Sequence, residues 1–178
     1  SWLAEIKSVP DWKCISPKQI NMTIASKNNG FGYGIYVQIP RVKQPIPLFV
    51  LFRALGVITD KAICERVVLD IDNSDNADLL KALEASIVDG SQVMTNEEAV
   101  SIVTTHVMFT PLNMDKESGA KRKREFAEDV LDNDIFPHCR NKEQKIYFLG
   151  YMANKLIRTS IGWRAADDRD SYLNKRVD

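Results

Sequence analysis

Ile20-Asn21-Met22-Thr23-Ile24-Ala25-Ser26-Lys27-Asn28-Asn29-Gly30-Phe31-Gly32-Tyr33-Gly34-Ile35-Tyr36-Val37-Gln38-Ile39-Pro40 is the stretch on which the fold turns. Ile20, Met22 and Ile24 alternate with polar neighbours, as do Tyr33, Ile35, Val37 and Ile39 after the break, and a period of two is the signature of a half-buried strand. Lys27-Asn28-Asn29-Gly30 supplies residues that tolerate positive φ, so residues 18 to 39 predict an antiparallel β-hairpin closed by Pro40. Between Arg41 and Pro47 the prolines enforce an extended approach, and Pro47 suits the first turn of a helix. That helix, Leu48 to Leu55, is apolar nearly all round except for Arg53, which places it in the core. Gly56 is its stop.

Beyond the hairpin the spacing is helical. Thr59 or Asp60 caps a helix to about Leu69, and Asp72-Asn73-Ser74-Asp75-Asn76 reads as a turn-rich loop rather than a metal site. Leu79, Leu80, Leu83 and Ile87 keep one helical stripe up to Gly90. Thr95-Asn96-Glu97-Glu98 is a capping box ahead of Val100, Ile102 and Val103. A helix with a basic start spans Gly119 to Ile135, Pro137 ends it, and the longest helix covers about Lys142 to Ile161. The expectation is an α+β fold: a mostly helical domain with one antiparallel hairpin near its N-terminus.

With 44% hydrophobic and 27% charged residues among 178, the chain can bury a core of single-domain size. No run approaches the roughly 18 apolar residues that span a bilayer; Ile46 to Leu55 is interrupted by Pro47 and Arg53. No partner membrane is therefore expected. Cys14, Cys64 and Cys139 are odd in number and scattered, which fits reduced thiols in an intracellular chain, and the first residues show no secretory signal. Net charge is zero, against a self-sufficient nucleic-acid clamp, yet residues 57 to 118 hold 4 Lys and Arg to 12 Asp and Glu while both ends are basic.

Residue patterns with chemistry to offer are few. His106 stands alone and His138-Cys139 lacks a second ligand pair, so no metal site is expected. There is no Gly-x-Ser-x-Gly elbow, and Gly30, Gly32 and Gly34 sit at a hairpin turn with no crossover helix to bind a nucleotide. No catalytic residue is assigned. Lys121-Arg122-Lys123-Arg124 precedes Glu125, Glu128 and Asp129, which favours exchange of ion pairs along a solvated helix over phosphate binding.

The last twelve residues, Asp167 to Asp178, carry seven charges, a density expected of an interior element that has been cut rather than of a fraying tail. Asp168-Arg169-Asp170 has a cation between its carboxylates, which argues against Mg²⁺. Two readings stay open for it, an ion-paired loop and a nucleic-acid contact through surplus Arg or Lys.

Three ordered blocks, Ile46-Pro47-Leu48-Phe49-Val50-Leu51-Phe52-Arg53-Ala54-Leu55-Gly56-Val57, Phe148-Leu149-Gly150-Tyr151-Met152-Ala153-Asn154-Lys155-Leu156, and the terminal Asp-Asp-Arg-Asp…Asn-Lys-Arg-Val-Asp, resemble the second-largest subunit of DNA-directed RNA polymerase. The similarity is closest to the RNA polymerase II type and covers its lobe domain, with no matching motif in residues 91 to 120. The resemblance implies a lobe over residues 1 to 160 and a truncated return segment over 161 to 178. In that family the lobe walls the DNA cleft and receives initiation factors. The implied partners are DNA, the other polymerase subunits, chiefly the largest, and initiation factors. Arg41, Lys43, Arg53, Asp170, Lys175 and Arg176 are the DNA-contact candidates, with a buried ion pair as the alternative role for Arg53. Bacterial relatives carry Arg where this chain has Lys175, and Lys lacks the planar fork for bidentate base reading. No cofactor is expected here: Mg²⁺ and zinc are implied only for the parent polymerase. The expected location is the nucleus, or a viral factory or virion for a viral source. The competing reading is a helical protein-interaction domain that uses its acidic segment without touching DNA.

Overall fold

The computed structural model describes residues 2–8, 18–26, 33–139 and 141–177; for 2–8, 18–19, 26 and 163–177 it describes the backbone alone. The expected α+β architecture is present. Strands β1 (Trp2–Ser8), β2 (Lys18–Ser26), β3 (Tyr33–Gln38) and β4 (Ile46–Pro47) form one antiparallel sheet in sequential order. The hairpin's register pairs Met22 with Val37 and Ile24 with Ile35, and all four are buried, so the period-two pattern does set one core face. The hairpin turn, Lys27 to Gly30, lies outside the described residues. Two strands extend the predicted pair. In β1, Trp2, Ala4 and Ile6 stand opposite Ile24, Met22 and Ile20, and β4 adds two residues to the other edge.

Helices α1 (Leu48–Ala54), α2 (Asp60–Val68), α3 (Ala77–Ala82), α4 (Glu84–Gly90), α5 (Asn96–His106), α6 (Lys116–Asp129) and α7 (Lys142–Val177) follow. All of α1 is buried, as an apolar cylinder must be, and Gly56 adopts the φ of +105° that ends it. Thr59 caps α2 by accepting from the Ala62 amide at 3.1 Å. The capping box forms as expected at Thr95, whose hydroxyl accepts from the Glu98 amide; the Glu98 carboxylate reaches back to accept from that same hydroxyl, each at 3.1 Å.

The stripe from Leu79 to Ile87 is two helices, not one. Leu83 sits at φ −88°, ψ −8°, its amide donates back three residues to the Leu80 carbonyl, and that tightened turn divides α3 from α4. Helix α6 begins earlier than Gly119 because Asp115 caps it through the Ser118 amide, and its far end widens into a π turn at Val130–Asp134. Helix α7 runs to Val177, beyond the expected Ile161.

The sheet is tied to α4 at β3. The Ile35 amide donates to the buried Ser86 hydroxyl at 3.0 Å, and the Tyr36 hydroxyl donates to Asp89 at 2.6 Å. A Cβ at Gly34 would lie 2.8 Å from both the Asp89 carboxylate and the Tyr36 hydroxyl, which accounts for that glycine by close approach rather than nucleotide binding.

Candidate nucleic-acid interface

Arg41 and Lys43 lie on the segment joining β3 to β4. Between them Val42 is fully buried and bridges Val107 antiparallel. The Met108 amide donates to the Arg41 carbonyl at 2.8 Å, and the Lys43 amide donates to the His106 carbonyl at 2.7 Å. With the middle residue inside, its two neighbours face out, and both are exposed. Arg41 takes φ +64°, a left-handed conformation that costs a non-glycine residue about 1 kcal/mol or more, so the surrounding bonds hold it there.

The Arg41 side chain leans on α6. Its guanidinium lies 5.9 Å from the Phe126 ring centroid, and its Nε is 3.6 Å from the carboxylate of buried Asp134. Phe126 in turn stacks on Phe109 at 5.3 Å. A cavity of about 260 Å³ opens here between Arg41, Phe126, Asp129 and Asn133. The approach of Arg41 to the Phe126 ring is a tertiary contact that no local spacing signals.

The α6 basic run behaves as a solvated, ion-paired helix. Arg124 donates to both Glu97 oxygens, at 2.8 and 3.0 Å, and to Glu128 at 3.1 Å, while Arg122 reaches Glu125 at 3.6 Å. The hydrogen bond from Arg124, and then its charge, hold the Glu97 carboxyl below the usual range. Lys121 and Lys123 make no ion pair among the described residues.

Arg53 points the other way. It has no exposed surface; its Nε donates to the Ile58 carbonyl at 2.8 Å, one terminal nitrogen to the Gly90 carbonyl at 2.9 Å, and the other to Asp60. The guanidinium also lies 5.8 Å from the Phe49 ring centroid. Of the two roles considered for it, the geometry matches the buried ion pair, because a cation without surface has nothing to offer a phosphate. Asn96 completes the junction by donating to the carbonyls of Arg53 and Ala54 at 2.8 and 3.1 Å.

The second signature block is also structural. At Gly150 the backbones of α2 and α7 approach so closely that a Cβ would overlap the Arg66 carbonyl, and Asn154 donates to the Val67 carbonyl at 2.8 Å, capping the end of α2. Asp170, Lys175 and Arg176 fall within the α7 span, but their side chains lie outside the described residues.

Among the described residues no group of three or more His, Cys, Asp or Glu could hold a metal ion, so neither Mg²⁺ nor zinc has a fitting donor set there. Burial pushes the Cys64 thiol up to about 11 and also raises Cys139, so neither is an activated nucleophile. No helix among the described residues is long and apolar enough to cross a membrane.

Fold and site together define an α+β scaffold whose signature residues knit helices to one another and whose exposed cations sit on a pinned loop. The chain belongs to the family described as RNA polymerase Rpb2, domain 2, whose model matches residues 14–178. It is 32% identical over 179 residues to the DNA-directed RNA polymerase II subunit RPB2 of Encephalitozoon cuniculi, covering 98% of this chain. It is 28% identical over 189 residues to DNA-directed RNA polymerase II subunit 2 of Arabidopsis thaliana, covering all of this chain and 15% of the relative. The DNA-directed RNA polymerase subunit Rpo2 of the archaeon Saccharolobus solfataricus is 30% identical over 148 residues, covering 80% of this chain and 12% of its own. The chain spans about one seventh of the length of the eukaryotic relatives, 14% of the Encephalitozoon protein.

Proposed function

We propose that the chain is the lobe of the second-largest subunit of a DNA-directed RNA polymerase, a cleft-wall element that contacts downstream DNA and receives initiation factors. The observation that carries this reading is the family match over residues 14–178 together with relatives whose names all describe that subunit. The geometry supports the DNA contact at one place: Arg41 and Lys43 are exposed on a loop pinned on both sides of Val42, so their charges are presented from a fixed backbone. Presentation from a fixed backbone positions a phosphate contact with only the side chains left to order at the moment of binding. Asp170, Lys175 and Arg176 remain candidates by resemblance, while Arg53 serves as an internal brace.

In this reading the domain performs no chemistry. Phosphoryl transfer, with its Mg²⁺, and the zinc site belong to other parts of the parent enzyme. The partners are DNA, the largest subunit and initiation factors, and the polymerase II relatives favour the nucleus as the location. An epitope tag on the native gene product tests the assignment. The tagged chain is expected to purify with the largest subunit and with DNA-dependent RNA synthesis; a tagged chain free of polymerase activity contradicts it.

A second reading has one observation in its favour. Asp70, Asp72 and Asp75, on the connection from α2 to α3, and Asp78, in the first turn of α3, are all exposed, an acidic surface suited to a basic protein. Charge reversal at Asp72, Asp75 and Asp78 should then abolish capture of a basic initiation factor in the absence of DNA, and unchanged capture removes this reading.

A further inference from the structure

The face of α7 that turns away from the core is aromatic, and nothing among the described residues covers it. Tyr147 is 62% exposed and Tyr151, one turn on, is 44% exposed. Their rings are stacked with centroids 6.4 Å apart, and the Lys155 ammonium lies 5.1 Å from the Tyr151 centroid. The hydrogen bond from Lys155 to Tyr151, more than any other influence, raises the affinity of that lysine for its proton. Arg158 follows on the same side, anchored to Asn154 at 2.8 Å. Beside Tyr147 a groove of about 510 Å³ is lined by His138, Cys139, Asn141 and Phe148.

The groove has a firm wall. Phe136 and His138 pack around Phe148 at 5.6 and 4.9 Å, and buried Lys145 donates to the carbonyls of Ile135 and Phe136, fixing the chain that leads into α7. A groove walled by Phe148 and Tyr147, continued along α7 by Tyr151 and then by Lys155 and Arg158, has the aromatic and cationic composition of a protein interface. Nucleic acid fits it less well. Lys155 already lies over the Tyr151 ring, and two cations are few for a phosphate track.

Two observations name the occupant. The chain accounts for 14% of its Encephalitozoon relative, so in the subunit reading most of the polypeptide is available to lie against this face. The charge complement is also defined, because Lys155 and Arg158 are cationic, while Glu143, which lines the groove, lies 3.3 Å from Arg66. We propose that the Tyr147–Tyr151 face and its groove form an internal docking surface, covered in the complete polypeptide by an apolar, carboxylate-rimmed patch of another domain of the same chain. The proposal rests on the assignment to the polymerase subunit.

Photo-crosslinking tests it in purified polymerase, with p-benzoylphenylalanine at Tyr147 and, separately, at Tyr151 of the full-length subunit. The expected product joins either position to a peptide of the same subunit outside residues 1–178. Crosslinks confined to nucleic acid or to a different subunit overturn the proposal, as does the absence of any protein crosslink. Hydroxyl-radical oxidation of the unsubstituted enzyme gives an independent reading. Both tyrosines should oxidise about tenfold more slowly than a solvent-exposed tyrosine, since the centre of a packed interface excludes water; oxidation at the exposed rate overturns the proposal even if a substituted subunit fails to assemble. Failure of the subunit assignment shows itself earlier, as a tagged gene product that does not purify with polymerase.

Discussion

Replacing Arg53 with methionine removes the brace while keeping most of the side-chain volume, and the structure sets the size of the effect. The carbonyls of Ile58 and Gly90 lose their donors at 2.8 and 2.9 Å, and a buried acceptor left unsatisfied costs about 1–3 kcal/mol. Asp60 contributes less, because its side chain is 41% exposed and rehydrates when the guanidinium leaves. Methionine recovers part of the loss by removing the desolvated charge, an exchange that is often neutral when both partners go but not when one remains. The net expectation is about 3 kcal/mol of destabilisation. With a urea slope of about 2 kcal/mol/M for a domain of this size, the unfolding midpoint falls by about 1.5 M. Arg53→Lys should fall in between, since one ammonium cannot reach three acceptors held around a planar fork. Urea denaturation followed by circular dichroism reads both variants. A midpoint for Arg53→Met within about 0.3 M of the parent, equivalent to less than 1 kcal/mol, would refute the reasoning.

The helix contacts make a paired prediction. Gly150→Ala drives a methyl into the Arg66 carbonyl and should destabilise by about 2 kcal/mol or more, whereas Gly162→Ala, with nothing within 4 Å, should stabilise by about 0.5–1 kcal/mol; thermal unfolding distinguishes them. Asn154→Ala removes the cap on the Val67 carbonyl and should cost about 1 kcal/mol by the same assay. Cys64 gives a pH dependence. Burial first, then the charges of Asp60 and Glu65, raise its thiol from 9.0 to about 11 in the folded state, so its stabilising contribution is complete below pH 9 and is lost as pH rises through about 11. The two-unit difference corresponds to about 2–3 kcal/mol. Cys64→Val should flatten the alkaline limb of urea midpoints measured from pH 8 to 11, and an identical limb in both proteins counts against it.

What the sequence disclosed followed the reach of each signal. The hairpin and Gly56 depend on local conformational preference and on one face being apolar, and both appear as expected. The capping box also forms, with Glu98 meeting the Thr95 hydroxyl, because residues three apart at a helix start decide it between them. Strand β1 was missed although Trp2, Ala4 and Ile6 alternate, since a short apolar series acquires meaning only from a partner such as Ile24, Met22 and Ile20. The break at Leu83 left no trace in the hydrophobic stripe, because that leucine is buried on either account. At the candidate interface, the ambiguity of Arg53 was legible from its apolar helix, and three-dimensional packing resolved it through acceptors 5, 7 and 37 residues away. The approach of Arg41 to Phe126 spans too much chain for any pattern to announce.

The central claim, that exposed cations of this domain meet DNA in a polymerase cleft, is tested most directly by the salt dependence of forked-DNA binding to the assembled enzyme. Removing one cation that neutralises a phosphate lowers the magnitude of the slope of log K against log salt by about 0.9 on duplex DNA. Arg41→Ala with Lys43→Ala, and Lys175→Ala with Arg176→Ala, should each reduce the slope by up to about 2, while Arg53→Met leaves it unchanged in enzyme that assembles. Affinity and slope unaltered in both double variants would contradict the claim.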